Sequence, residues 1–150
     1  VRARYFAYGS NLKLSRMRAR IPTAEVAGVA LLRGRRLTLD KLGADGSGKA
    51  NLAHDPQGCV WGVVYRIEAT TWPALDACEP GYERFEVAVE MERVEQRAAT
   101  YASSRITPDP IAHAWYKRLI VEGAREHGLP REWIAHLEAL PTRSAGSDVG

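Results

Sequence analysis

Apolar and polar positions alternate most cleanly over residues 84–92, where Phe85, Val87, Val89 and Met91 are interleaved with Arg84, Glu86, Ala88, Glu90 and Glu92. A period of two predicts a strand with one dry and one wetted face, and residues 96–103 are expected to be its antiparallel neighbour. Residues 59–67 are rich in β-branched and aromatic types, which predicts a central strand with Cys59, Trp61, Val63, Tyr65 and Ile67 on one face. Gly62 inside it marks either a close approach of backbone or ligand, or a barrel bend. Upstream, residues 26–32 and 36–40 predict two extended pieces around a turn at Gly34. A loop over 43–48 follows, then a short strand over 50–53 that ends at the turn signal Asp55-Pro56-Gln57-Gly58.

From Pro110 the period becomes helical. Ala112, Trp115, Tyr116, Leu119, Ile120, Gly123 and Ala124 form an apolar stripe opposite Lys117, Arg118, Glu122, Arg125 and Glu126. Gly128 closes that helix, and Leu129-Pro130 opens another with Trp133, Ile134 and Leu137 inward. A shorter helix is expected over 71–78, with Thr70 as its cap, Pro73 in its first turn, and Trp72, Ala74 and Leu75 packed inward. It stops at Glu79-Pro80-Gly81. Pro80 biases the preceding residue away from helical angles, so Glu79 is placed at a helix-to-strand junction rather than on a helix face. The small, polar tail from about residue 144 is expected to be frayed.

At the other end, Tyr5-Phe6-Ala7-Tyr8 predicts a buried strand that Gly9 breaks, and residues 14–20 are helix-forming. Between them Gly9, Ser10 and Asn11 are types that allow positive φ and close backbone approach. Unpaired amides of such a turn, beside the positive end of a helix, suit a carboxylate or a developing oxyanion. A plain strand-to-helix turn is equally compatible with these residues.

Composition changes this picture little. With 150 residues, 45% hydrophobic and 26% charged, the chain is expected to form a single soluble domain. No apolar run approaches the roughly 20 residues that span a bilayer, and no signal-peptide core stands at the N-terminus, so a cytoplasmic protein without a membrane partner is expected. The net charge of +3 includes clusters at Arg16, Arg18, Arg20 and at Arg33, Arg35, Arg36, which alternate with apolar residues. They read as a solvated face rather than a nucleic-acid surface, and at most favour anionic small substrates. Cys59 and Cys78 lack metal or redox spacing and are expected to be reduced packing residues. His54, His113, His127 and His136 lack zinc-ligand spacing, and no metal is expected.

Three stretches stand in a telling order: Tyr5-Phe6-Ala7-Tyr8-Gly9-Ser10-Asn11-Leu12, the segment from Leu75 through Asp76, Glu79 and Pro80 to Tyr82, and the helical region around Tyr116. Together with Trp61-Gly62-Val63-Val64-Tyr65 and the run from Tyr116 to Pro130, they resemble the γ-glutamylcyclotransferase family over almost the whole chain. One departure is Pro80, where the family more often has glycine directly after its glutamate. The resemblance implies an α+β fold, a small, mostly antiparallel β-barrel with flanking helices. It also implies cofactor-free cyclisation of a γ-glutamyl amino acid or amine to 5-oxoproline, with release of the amine. Glu79 would be the general acid/base, and Tyr8, Gly9, Ser10, Asn11, Tyr82 and Tyr116 would line the substrate. By residue pattern alone Glu79 is an ordinary helix-end carboxylate, either tyrosine is equally a core residue, and Asp76 is expected to bond local backbone. Related readings are a γ-glutamyl-binding module without turnover and an enzyme that removes a γ-glutamyl protecting group. The sequence names neither the leaving amine nor the oligomeric state.

Overall fold

The strands β1 (Arg2–Ala7), β2 (Glu25–Leu42), β3 (Gly48–Glu68), β4 (Glu83–Met91) and β5 (Val94–Ala102) close into a barrel in the order β1-β3-β2-β4-β5. They are seen in a computed structural model that describes residues 1–143. Neighbours pair antiparallel, except that β1 and β5 close the barrel in parallel through Tyr5 and Ala99. This is the expected barrel. The strand β4 keeps its alternation, with Val89 buried, Phe85, Val87 and Met91 half-buried, and Glu86 and Ala88 exposed.

β3 is central, since Tyr65 pairs with Tyr5 on one side and Val26 on the other. Both of its faces are dry: Val60 and Val64 are as fully buried as Val63, Tyr65 and Ile67. Cys59, expected to be packed, is instead exposed, and both thiols are free. At Gly62 the close neighbour is backbone, because a Cβ there would lie 2.3 Å from the Ala7 carbonyl oxygen.

Two expected chain reversals are bends within longer strands. β2 runs unbroken through Gly34, whose φ of 84° is absorbed as a register shift between Arg33 and Arg35. Opposite it, the pairing of β3 jumps from His54 to Cys59, so residues 55–58 bulge from the ladder instead of ending a strand. Two long antiparallel strands can bend together here because the insertions lie side by side. The loop over 43–47 closes this hairpin, with the Gly43 amide donating to the Ser47 carbonyl at 2.9 Å.

The helices are α1 (Leu14–Arg20), α2 (Trp72–Ala77), α3 (Ala114–Glu126) and α4 (Arg131–Glu138). Thr70 does not cap α2. A 3-10 turn over Ala69–Thr71 precedes it, the Thr71 hydroxyl donates to the Glu68 carbonyl, and Ala74 is exposed while Leu75 is buried. Ala112 belongs to a two-residue strand, β6 (Ala112–His113), parallel to β7 (Thr142–Arg143), so α3 begins just after it. α3 packs backbone to backbone on the segment after β1, since a Cβ on Gly123 would meet the carbonyl carbon of Leu12 at 2.4 Å. Leu12 itself is fully buried, and truncating such a side chain to alanine costs about 2–5 kcal/mol. No helix among the described residues is long and apolar enough to cross a membrane. The tail expected to fray lies outside the described residues.

Candidate active site

The segment after β1 is a 3-10 turn over Ser10–Leu12, closed by Leu12 N–H to Gly9 C=O at 3.0 Å and Lys13 N–H to Ser10 C=O at 3.2 Å. Among the described residues the amides of Gly9, Ser10 and Asn11 have no protein acceptor. Gly9 does not use the positive φ expected of it, for its φ is −111°. Its requirement is space, because a Cβ would lie 2.9 Å from that of Ala50 on β3. At the start of α1 the Leu14 amide is taken by the Glu126 carboxylate at the end of α3.

Glu79 stands between α2 and β4, as expected, with only 14% of its side chain exposed. Its Oε1 accepts from Asn11 Nδ2 at 3.0 Å and from Arg20 Nη1 at 3.1 Å. Asn11 is locked in turn, its Nδ2 donating to the Tyr5 hydroxyl at 2.9 Å and its Oδ1 accepting from Arg20 at 3.1 Å. Both donors use the same carboxylate oxygen, and among the described residues Oε2 has no donor. Burial pushes the Glu79 carboxyl above the ordinary glutamate value, and the Arg20 charge and the Asn11 hydrogen bond oppose that shift without cancelling it. Pro80 does not turn the carboxylate away, and its carbonyl is held by Lys41 Nζ at 2.8 Å.

Ala50 ties two tyrosines to the barrel wall. Its amide donates to the Tyr116 hydroxyl at 3.0 Å, and its carbonyl accepts from the Tyr82 hydroxyl at 2.6 Å. Tyr8 donates to the Tyr101 carbonyl at 2.6 Å. Burial raises the pKa of Tyr8, Tyr82 and Tyr116, so all three are neutral phenols. Glu79, Tyr8, Gly9, Ser10, Asn11, Tyr82 and Tyr116 line one pocket, joined by Tyr5, Ala50 and Tyr101, which sequence reasoning did not single out. Asp76 does not bond local backbone through its side chain as expected. Its carboxylate accepts from the Tyr101 hydroxyl at 2.6 Å and so orients a pocket wall.

A second concavity shares Ser10, Glu79, Tyr82 and Tyr116 with the pocket and is lined further by Arg16, Arg20, Lys41, Lys49, Pro80 and Trp115 among others. The arginines of α1 therefore do not share one solvated face. Arg18 is exposed, but Arg16 and Arg20 turn toward the site. The signal was available in their i, i+4 spacing directly after the Gly-Ser-Asn turn, which puts them on one helix face.

Residues 59–137 match the family model described as the AIG2-like family. The mouse protein named gamma-glutamylcyclotransferase is 32% identical over 146 residues, spanning 91% of this chain and 77% of that one. A solved structure titled gamma-glutamyl cyclotransferase superposes with a TM-score of 0.91 at 29% identity, covering 100% of this chain and 94% of that one. A crystal structure of an uncharacterized human protein superposes with a TM-score of 0.87 at 29% identity, covering 96% and 90%. With the barrel and the conjunction of the Gly9–Asn11 turn with Glu79 in view, these likenesses establish that the chain belongs to the AIG2-like, γ-glutamylcyclotransferase family of enzymes.

Proposed function

We propose that this protein cyclises a γ-glutamyl amino acid or amine to 5-oxoproline, with Glu79 as the proton shuttle. The observation that carries this reading is the Glu79 carboxylate: buried, among the described residues gripped through Oε1 alone, and set in the same pocket as turn amides of Gly9–Asn11 that have no acceptor among those residues.

The substrate's α-nitrogen attacks its own γ-carbonyl, so a C–N bond forms to that carbon while the C–N bond to the leaving amine breaks. Such an intramolecular reaction asks the protein for a fixed reactive conformer, a proton acceptor and a place for the oxyanion. The α-ammonium first loses a proton to Glu79 Oε2, exposing the lone pair. After attack the tetrahedral oxygen carries a negative charge, which the turn amides are suited to stabilise. A second proton leaves the ring nitrogen, and the departing nitrogen gains two in total and leaves as an ammonium. Glu79 carries them one at a time, a task helped by a pKa raised by burial. The buried phenols of Tyr82 and Tyr116 wall the pocket without adding charge.

Incubation of purified protein with a panel of γ-glutamyl compounds, followed by chromatography for 5-oxoproline, tests the reading. Stoichiometric 5-oxoproline and free amine are expected. Binding of a γ-glutamyl compound without turnover would identify a binding module instead.

A further inference from the structure

Beyond Glu79 the pocket opens onto a wall that is rich in cations. Arg20 is neutralised by Glu79, but Arg16 and Lys41 have no carboxylate partner among the described residues. Arg16 Nε donates to the Ser10 hydroxyl at 3.1 Å, and Lys41 Nζ to the Pro80 carbonyl at 2.8 Å. Lys49 rests on the rings of Trp115 and Tyr116, 4.8 and 4.7 Å from their centroids. Its nearest carboxylate, Asp45, is 3.9 Å away and is shared with His113 at 3.1 Å. Aromatic faces hold an ammonium without cancelling its charge.

Unpaired cations half withdrawn from water destabilise a protein unless an anion arrives to share the site. Desolvation indeed lowers the pKa of Arg16, Lys41 and Lys49 from their ordinary values, as it does for buried charge lacking compensation. The side chains come from α1, β2 and β3 and converge on this one concavity. The inner chamber, with its turn amides, is the place for the γ-glutamyl group. The cations lie on the side from which the leaving group must project.

We propose that Arg16, Lys41 and Lys49 form an anion-binding subsite for the leaving group, and that the preferred substrate is a γ-glutamyl derivative of an acidic amino acid rather than of a neutral amine. This rests on the reading under Proposed function for where the γ-glutamyl group sits. A leaving α-carboxylate and a side-chain carboxylate both find cations here, whereas an alkylamine leaves them unmatched.

The test is kcat/KM on three compounds, γ-glutamyl-glutamate, γ-glutamyl-alanine and γ-glutamyl-ethylamide, which differ by one carboxylate at each step. The expected order is that order, with about ten- to hundredfold lost per carboxylate, the range for a hydrogen bond to a charged group. In Lys49→Gln and Arg16→Gln the ratio between the glutamate and ethylamide compounds should fall at least tenfold, and added salt should shrink it in the wild type. The wild-type ranking stands even where a variant misfolds. Equal kcat/KM on all three would overturn the subsite and leave the cyclisation intact. If none gives 5-oxoproline, the cyclisation fails, and calorimetry with the same compounds decides the subsite. Tighter binding of the glutamate compound than of the ethylamide then supports it, and equal or absent binding overturns it.

Discussion

The Arg20 guanidinium at the end of α1 lies 3.1 Å from Glu79 Oε1, and the same nitrogen is 3.1 Å from Asn11 Oδ1. One cation thus orients the carboxylate and the residue that shares its grip. It also restrains the rise in the Glu79 pKa that burial causes. Arg20→Gln should move the acid limb of the kcat/KM profile to higher pH, because the carboxylate must be ionised to accept a proton and now ionises later. Arg20→Lys should recover part of the shift. An unmoved limb would mean that it reports some other group.

Glu79→Gln keeps the shape of the side chain but cannot carry a proton. Loss of about 10²- to 10⁴-fold in turnover is expected, with binding of 5-oxoproline retained by calorimetry. The control is Glu86→Gln, whose carboxylate is 68% exposed and paired with Arg97 at the surface, and which should behave as wild type. Wild-type turnover by Glu79→Gln on a verified substrate would sink the mechanism.

The same variant tests the linkage between Glu79 and stability. Because its folded pKa lies above the unfolded value, the native state holds more protons between the two, and stability falls as pH rises through that window. The destabilisation is absent below the unfolded pKa and complete above the folded one. Glutamine has no such dependence. The Tm of Glu79→Gln relative to wild type should therefore climb from about pH 4 and then level off, and a flat difference in thermal melts would show that burial does not raise the pKa.

Gly9 is fitted to Ala50, since a Cβ added to the glycine would stand 2.9 Å from the alanine's own. Gly9→Val should abolish activity in a protein still folded by circular dichroism, while Ser15→Ala, on the exposed side of α1, should do nothing. Gly9→Ala should recover when combined with Ala50→Gly, with a coupling of about 0.5–3 kcal/mol in a double-mutant cycle. Simple additivity would show that the two do not meet.

Tyr82→Phe and Tyr116→Phe each strand a polar group of Ala50, a residue only 3% exposed. Each should cost about 1–3 kcal/mol in urea denaturation, the usual penalty for an unsatisfied buried group. A neutral result would mean that water replaces the hydroxyl.

Chelator should leave activity intact. Among the described residues Glu79 is the one carboxylate lining the two connected pockets, and Arg16, Arg20, Lys41 and Lys49 would repel a divalent cation brought to it. Loss of activity on chelation, restored by one defined metal, would overturn the proposed chemistry.

What the sequence determined by itself was local in origin. Period two over residues 84–92, the glycine break after Tyr8 and the proline after Glu79 each act on neighbouring backbone, and β4, the 3-10 turn and the α2–β4 junction stand where those signals put them. The residues named for the candidate site lie in short contiguous motifs that resemble one family, and the fold gathers them around one pocket. Barrel closure decided the rest. Gly34 and residues 55–58 carry turn signals, yet long-range pairing of β2 with β3 outweighs them and makes bends of both. The spacing of Arg16 and Arg20 puts them on one helix face, but only the folded chain brings Glu79 to meet that face. Likewise the pairing of Ala50 with Gly9, Tyr82 and Tyr116 joins four stretches of chain, and only the folded barrel sets them at contact distance. Charge and contact are properties of neighbours in space, and spacing along the chain records only those neighbours that are also near in sequence.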